Sequence, residues 1–181
     1  MKISKLFLSA VLVLVFPIAA NAAVFNLAAT LTPGAEVPPV TNAAGALGDA
    51  AMVLNDETGM FAWIISFQGL TGPATAAHFH AGAVDDTGPP VLNLDTDPGV
   101  TFSGLSADAG IFAGTTTLSA DAVMAVLSGN WYVNIHTEAN GGGEIRGQVL
   151  GGTFSPVPLP ATAWLFLSGL AGLLIVKRKA V

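Results

Sequence analysis

The sequence predicts an all-β domain, a sandwich or barrel with one short helix, framed by an N-terminal signal peptide and a C-terminal transmembrane helix. Three observations predict it. Short apolar stretches alternate with period two, Gly- and Pro-rich turns separate them, and two long uncharged apolar runs occupy only the chain ends.

The N-terminal run comes first. Lys2 and Lys5 precede an apolar stretch from Leu6 to Ala20, and Ala20-Asn21-Ala22 places small residues where a signal peptidase reads them. This is the layout of a secretory signal, residues 1–22, with cleavage expected after Ala22. An uncleaved signal anchor is the alternative. At the other end a Pro-rich linker and motif, 153–161, leads into a membrane segment at 162–176 and a basic tail at 177–181. Ala161 to Val176 carries no charge and reaches about 24 Å as a helix, against a hydrocarbon core of about 30 Å. Leu159, Pro160 and snorkelling basic side chains make up the difference. Lys177, Arg178 and Lys179 belong on the cytoplasmic side, which places the preceding domain outside. A buried soluble helix is the alternative, but the run has no polar face.

Val157-Pro158-Leu159-Pro160-Ala161, the apolar run and the basic end together resemble the VPLPA variant of the PEP-CTERM sorting signals. The resemblance covers about the last 25 residues. It implies a membrane-embedded sorting transpeptidase, an exosortase, as a partner, and a tail that serves as a transient anchor.

Between these ends lies one domain, 23–152, long enough to bury a core. It holds all twelve acidic residues with Arg146 as their only cationic company, hence a net charge of −11 rather than the whole chain's −6. Such a surface repels nucleic acid and anionic headgroups and attracts cations; it also serves plain solubility. Without cysteine there is no disulfide framework or thiol chemistry, and any metal must be held by histidines and carboxylates.

Along the domain, strands are expected at Val24 to Leu31, Ala46 to Leu54 and Met60 to Phe67. The last of these puts Phe61, Trp63, Ile65 and Phe67 on one face. The Pro38-Pro39 pair keeps Glu36 to Val40 out of any central strand. Thr75 to Ala81 turns Phe79 inward and His78 and His80 the opposite way. Short strands are expected at Val91 to Leu94 and Val100 to Phe102, then a helix from Ala120 to Leu127, capped by Ser119 and stopped by Gly129. Trp131 to Thr137 directs Tyr132, Asn134 and His136 outward, and a strand from Glu144 to Leu150 follows the Gly141-Gly142-Gly143 turn.

The domain's three histidines are the residues to which chemistry can be assigned. His78 and His80 share a strand face about 6.6 Å apart along the strand. His136 lies on the polar side of its own strand, the side expected for Glu144, Arg146 and Gln148. A His-x-His with a third His and a carboxylate on a neighbouring strand suits a divalent ion, zinc or copper, with Glu144 as ligand or ring-orienting partner. Glu36 and the Asp85-Asp86 pair are weaker candidates. Hydrogen bonding alone would also satisfy three histidines. No serine or cysteine sits in a Gly-x-Ser-x-Gly elbow and no Gly-rich phosphate loop leads into a helix, so catalysis is not expected.

One resemblance spans the domain. The segments are Leu31-Thr32 with Gly34-Ala35-Glu36-Val37-Pro38-Pro39, Gly69-Leu70-Thr71 before Ala77-His78-Phe79-His80, Trp131 through Thr137, and Gly142-Gly143-Glu144-Ile145-Arg146-Gly147-Gln148. In order and spacing they resemble the CHRD domain, a module named for chordin and common in exported bacterial proteins. Phe79 stands where the family usually has an aliphatic residue, and Gly142 where proline is common. The resemblance implies an immunoglobulin-like or related β-sandwich. Chordin's growth-factor-binding modules are rich in cysteine and absent here, so that role does not carry over. The histidine layout is also similar to the copper site of Cu/Zn superoxide dismutase, whose further histidines and cysteines are missing.

The leading expectation is therefore an exported cell-surface or matrix protein with a binding or structural role, sorted through its tail. The alternative is a copper- or zinc-binding module built on the histidines, redox-active or hydrolytic.

Overall fold

The computed structural model describes residues 23–94, 97, 100–106 and 108–156, with 100–106 and 152–156 described by backbone alone. The signal peptide, the Val157–Ala161 motif and the apolar run after it lie outside the described residues. Among the described residues no helix is long and apolar enough to cross a membrane.

Two antiparallel sheets face each other, the all-β sandwich that the alternation predicts. The strands are β1 (Ala23–Leu31), β2 (Leu47–Asn55), β3 (Met60–Gln68), β4 (Ala74–Ala81), β5 (Pro90–Asn93), β6 (Val100–Ser106), β7 (Ala109–Thr117), β8 (Trp131–Thr137), β9 (Ile145–Gln148) and β10 (Leu150–Pro156). Six form one sheet in the order β10-β1-β2-β3-β7-β6, and four form the other, β5-β4-β8-β9. Among the described residues one α-helix, α1 (Ala120–Leu127), carries the chain from β7 to β8. Ser119 caps it as expected, its side chain accepting from the Ala122 N–H at 3.3 Å, and Gly129 follows at a φ of 71° that favours glycine.

The core lies where period-two patterning puts it. Phe61, Trp63, Ile65 and Phe67 of β3 are buried, and they meet Phe79 of β4 and Trp131 of β8. Phe79 packs edge-on against Phe61 and Trp63 with ring centroids 5.4 and 5.7 Å away, a preferred aromatic geometry. Together with the Phe61–Trp131 contact at 6.1 Å, the Phe79 ring joins the two sheets at this point.

Two elements differ from the expectation. The strand expected from Glu144 to Leu150 is two strands in different sheets. β9 pairs with β8, the chain turns the corner at buried Val149, and β10 pairs with β1. Beside this corner Thr32 and Arg146 exchange backbone hydrogen bonds of 2.9 and 3.2 Å, so this edge of the sandwich is stitched shut. The β1–β10 ladder runs on to Ala23↔Pro156, which takes 153–156 from the expected linker into the domain. The second difference is β7, a strand the sequence hides. Gly110 and Gly114 break its pattern, and Phe112 is the core side chain it supplies.

Truncating Phe79 removes the ring that meets both sheets. Phe79→Ala is expected to cost about 3–5 kcal/mol in chemical denaturation. Ile64→Ala, on the outer face of β3 at 51 % exposure, is expected to stay within about 1 kcal/mol.

Candidate functional site

The outer face of the four-stranded sheet is polar, yet much of it is buried. In β8 Tyr132 and Asn134 are buried although they point away from the sandwich core. Cross-strand register explains the layout. His80 stands opposite Tyr132 and Tyr132 opposite Gln148, while His78 stands opposite Asn134 and Asn134 opposite Arg146. Two loops, 82–89 and 138–143, are fastened over these rows. Arg146 and Gln148 donate to the carbonyls of Ala83 and Gly82 at 3.0 and 2.8 Å.

The three histidines come together. One ring nitrogen from each of His78, His80 and His136 lies within 4.8 Å of the others. His80 Nδ1 is 2.8 Å from the Gly88 carbonyl oxygen, and His136 Nδ1 is 3.1 Å from that of Gly141. A carbonyl only accepts, so both Nδ1 atoms carry the proton and both Nε2 atoms keep a lone pair. Burial pushes both imidazoles below their ordinary pKa, ahead of the opposing effect of the carbonyl bonds, so the neutral form is favoured. His136 Nε2 faces His78 Nδ1 at 3.2 Å, and His80 Nε2 is buried with no hydrogen-bond partner. Tyr132 stacks on the His80 ring at 4.9 Å, and the Arg146 guanidinium lies 3.6 Å over the other aromatic ring in that stack, Tyr132.

This donor set fits a small divalent ion. Nitrogen ligands about 2.05 Å from a tetrahedral zinc are about 3.3 Å apart, close to the 3.2 Å between His78 and His136. The His80 nitrogen completes a group of three that lie within 4.8 Å of one another.

Glu144 does not join this group. Its carboxylate, fully buried, accepts from the Thr71 backbone N–H at 2.6 Å, from the Thr71 and Thr137 hydroxyls, and from Asn140 Nδ2 at 2.8 Å. Burial alone would raise its pKa, but these bonds together lower it. The carboxylate thus fastens loop 138–143, which presents the Gly141 carbonyl to His136. Asp85 and Asp86 lie exposed in loop 82–89, outside the group.

Glu36 has another environment. It is buried, and burial pushes its pKa up to about 7 against the lowering effects of Arg146 and of a 3.4 Å bond from Asn134 Nδ2. Glu36 Oε1 and Asn134 Oδ1 are both buried acceptors without a partner. They also share one neighbour: a β-carbon placed on Gly143 would lie 2.6 Å from Glu36 Oε1 and in contact with the Asn134 amide. Loss of water around the buried carboxyl is what favours the acid form here. Sequence reading ranked Glu36 low and missed Asn134, although Asn134 was on the expected polar face beside His136.

The sequence profile of the CHRD domain matches residues 27–149, more than half of the chain. The chain belongs to the CHRD domain family. No curated protein and no solved structure matches it. The matched span contains every residue of the CHRD domain's polar layer, from Glu36 to Gln148.

Glu36 has its pKa raised in the fold, so its contribution to stability is present below about 4.5 and is lost as pH rises through about 7. His80, His136 and Glu144, all lowered, contribute in the opposite sense, their share being lost as pH falls. Comparison with Glu36→Gln isolates the first effect, because the amide mimics the protonated acid. Denaturation at pH 5 and pH 8 is expected to show wild type losing about 2.5 kcal/mol relative to Glu36→Gln. Equal pH dependence of the two proteins would contradict the assignment.

Proposed function

We propose that this chain is an exported CHRD domain protein whose outward-facing domain binds a divalent transition-metal ion, zinc or copper, through His78, His80 and His136. The observation that carries this reading is the anchoring of two imidazoles by Nδ1–H bonds to backbone carbonyls. That leaves both Nε2 lone pairs free of a proton, with a nitrogen of each of the three rings within 4.8 Å of the others. Metal-binding histidines are oriented by such outer bonds, which fix the tautomer and ring angle. In the metal-free site His78 Nδ1 donates its proton to His136 Nε2; when the ion binds, His78 carries its proton on Nε2 instead.

Binding rather than catalysis is the proposed role, since the sequence supplies no nucleophile elbow beside a base. The charge of −11 on the domain supports it by raising the local concentration of cations. Signal peptidase and an exosortase-like transpeptidase are the proposed processing partners. Val157-Pro158-Leu159-Pro160-Ala161 is the sorting motif, the C-terminal helix the membrane anchor of the precursor, and the cell surface or extracellular matrix the destination.

Elemental analysis of the purified domain, cut after Pro156, is expected to find one zinc or copper per chain. Ion present at a hundred times its Kd stabilises the domain by about 2.7 kcal/mol, visible as a rise in Tm that the His78→Ala/His80→Ala/His136→Ala variant lacks. No retained metal and no Tm response would sink the metal reading; metal that survives the triple variant would place the site elsewhere.

Deleting Val157 to Val181 is expected to release the protein into the medium with β10 and the Tm intact. Retention in the cell membrane fraction, or an unfolded product, would contradict the role given to the tail.

A further inference from the structure

Ala23, the first residue of β1, is the residue that the export reading makes the first of the mature protein. Its backbone nitrogen lies 2.8 Å from Asp56 Oδ1, and its carbonyl accepts from the Asp56 backbone N–H at 3.2 Å. Asp56 follows directly on β2, in the turn to β3, and is thereby held against the start of β1 from both its side chain and its main chain. In the uncut chain the Ala23 nitrogen is a neutral amide, bonded to a carboxylate that has no positive charge to pair with at this contact.

We propose that hydrolysis of the Ala22–Ala23 bond creates an α-ammonium group that pairs with the Asp56 carboxylate and clamps the mature N-terminus into the six-stranded sheet. This rests on the export reading above. The balance is simple: water cleaves the peptide, its oxygen stays on the Ala22 carboxylate, and the freed Ala23 amine is protonated at neutral pH. The ammonium occupies the position of the amide nitrogen, and 2.8 Å is within the range of charge-assisted N–H···O bonds. Among the described residues no competing charge pair is present at Ala23. Across the ladder β10 offers Ser155 and Pro156, and Glu57 is the one further titratable group in the turn, with its backbone N–H held by Asn55 Oδ1.

The consequence is local. An exposed pair adds little to global stability, but it fixes the residue that would fray first and ties up the amine an aminopeptidase must grip. The structure thus assigns Asp56 a function that depends on processing: it receives the group that signal-peptide removal creates.

The test uses the full chain exported from a host with signal peptidase, as wild type and as Asp56→Asn, which keeps the hydrogen-bond acceptor and removes the charge. Mass spectrometry of the N-terminal peptide is expected to begin at Ala23. The pH dependence of α-amine labelling is expected to give wild type a pKa about half a unit or more above that of Asp56→Asn, for which the ordinary range is about 7.7–8.0. Wild type is also expected to lose N-terminal residues to an aminopeptidase several-fold more slowly. A product starting at Ala23 with the same amine pKa and the same trimming rate in both proteins would overturn the ion pair and leave the export reading standing. A product starting elsewhere, or one that keeps its signal, would overturn both. An Asp56→Ala protein that matches Asp56→Asn in amine pKa assigns the shift to charge; if its pKa equals that of wild type, the assignment fails.

Discussion

Burying polar side chains on the outer face of the four-stranded sheet is the constraint on which the rest of this structure depends. A sandwich strand ordinarily turns one face to the core and the other to water. β8 is buried on both, so each outward polar group needs a partner from β4, β9 or the covering loops. Those partners fix the loops in turn. Gly88 binds His80, Gly141 binds His136, and Ala83 and Gly82 receive Arg146 and Gln148. The Glu144 carboxylate, with Thr71, Thr137 and Asn140 around it, holds loop 138–143 in place. The histidine cluster is a product of this layer rather than a separate insertion.

The layer also explains why its members are unequal. Atoms that find a donor or acceptor are ordinary buried polar groups. Those left over gather in two places, at His80 Nε2 and between Glu36 and Asn134. An orphaned lone pair on a neutral imidazole suits a cation, while orphaned acceptors beside a buried carboxyl suit a proton. The same low-dielectric cover therefore favours a neutral acid at one end and neutral, ligand-ready imidazoles at the other.

Much of this was legible in the sequence, for reasons that differ by element. β3 and β8 were readable because large side chains alternate over their full length, and the helix because Ser119 and Gly129 bracket it. Parity puts His78, His80 and His136 on polar strand faces, but only the long-range pairing of β4 with β8 brings them together. β7 was not, because glycines erase its alternation. Nor was the split between β9 and β10, because a strand that changes sheet keeps its apolar pattern through the corner at Val149. Glu144 was misplaced for a similar reason. Parity puts it on the histidine side of the sheet, but parity says nothing of Thr71, contributed from the end of a distant turn and bonded to it from 73 positions away. Glu36 lies on a loop without periodicity, so only tertiary structure brings it to Asn134.

In the metal reading three imidazole nitrogens share one ion, two of the rings being oriented by backbone carbonyls. X-ray absorption on the zinc-loaded domain reads the ligand set directly. The expected spectrum has imidazole scattering from three rings at about 2.0–2.1 Å, falling to two when His80 is replaced by alanine. A first shell of oxygen atoms alone, unchanged by that substitution, would contradict it.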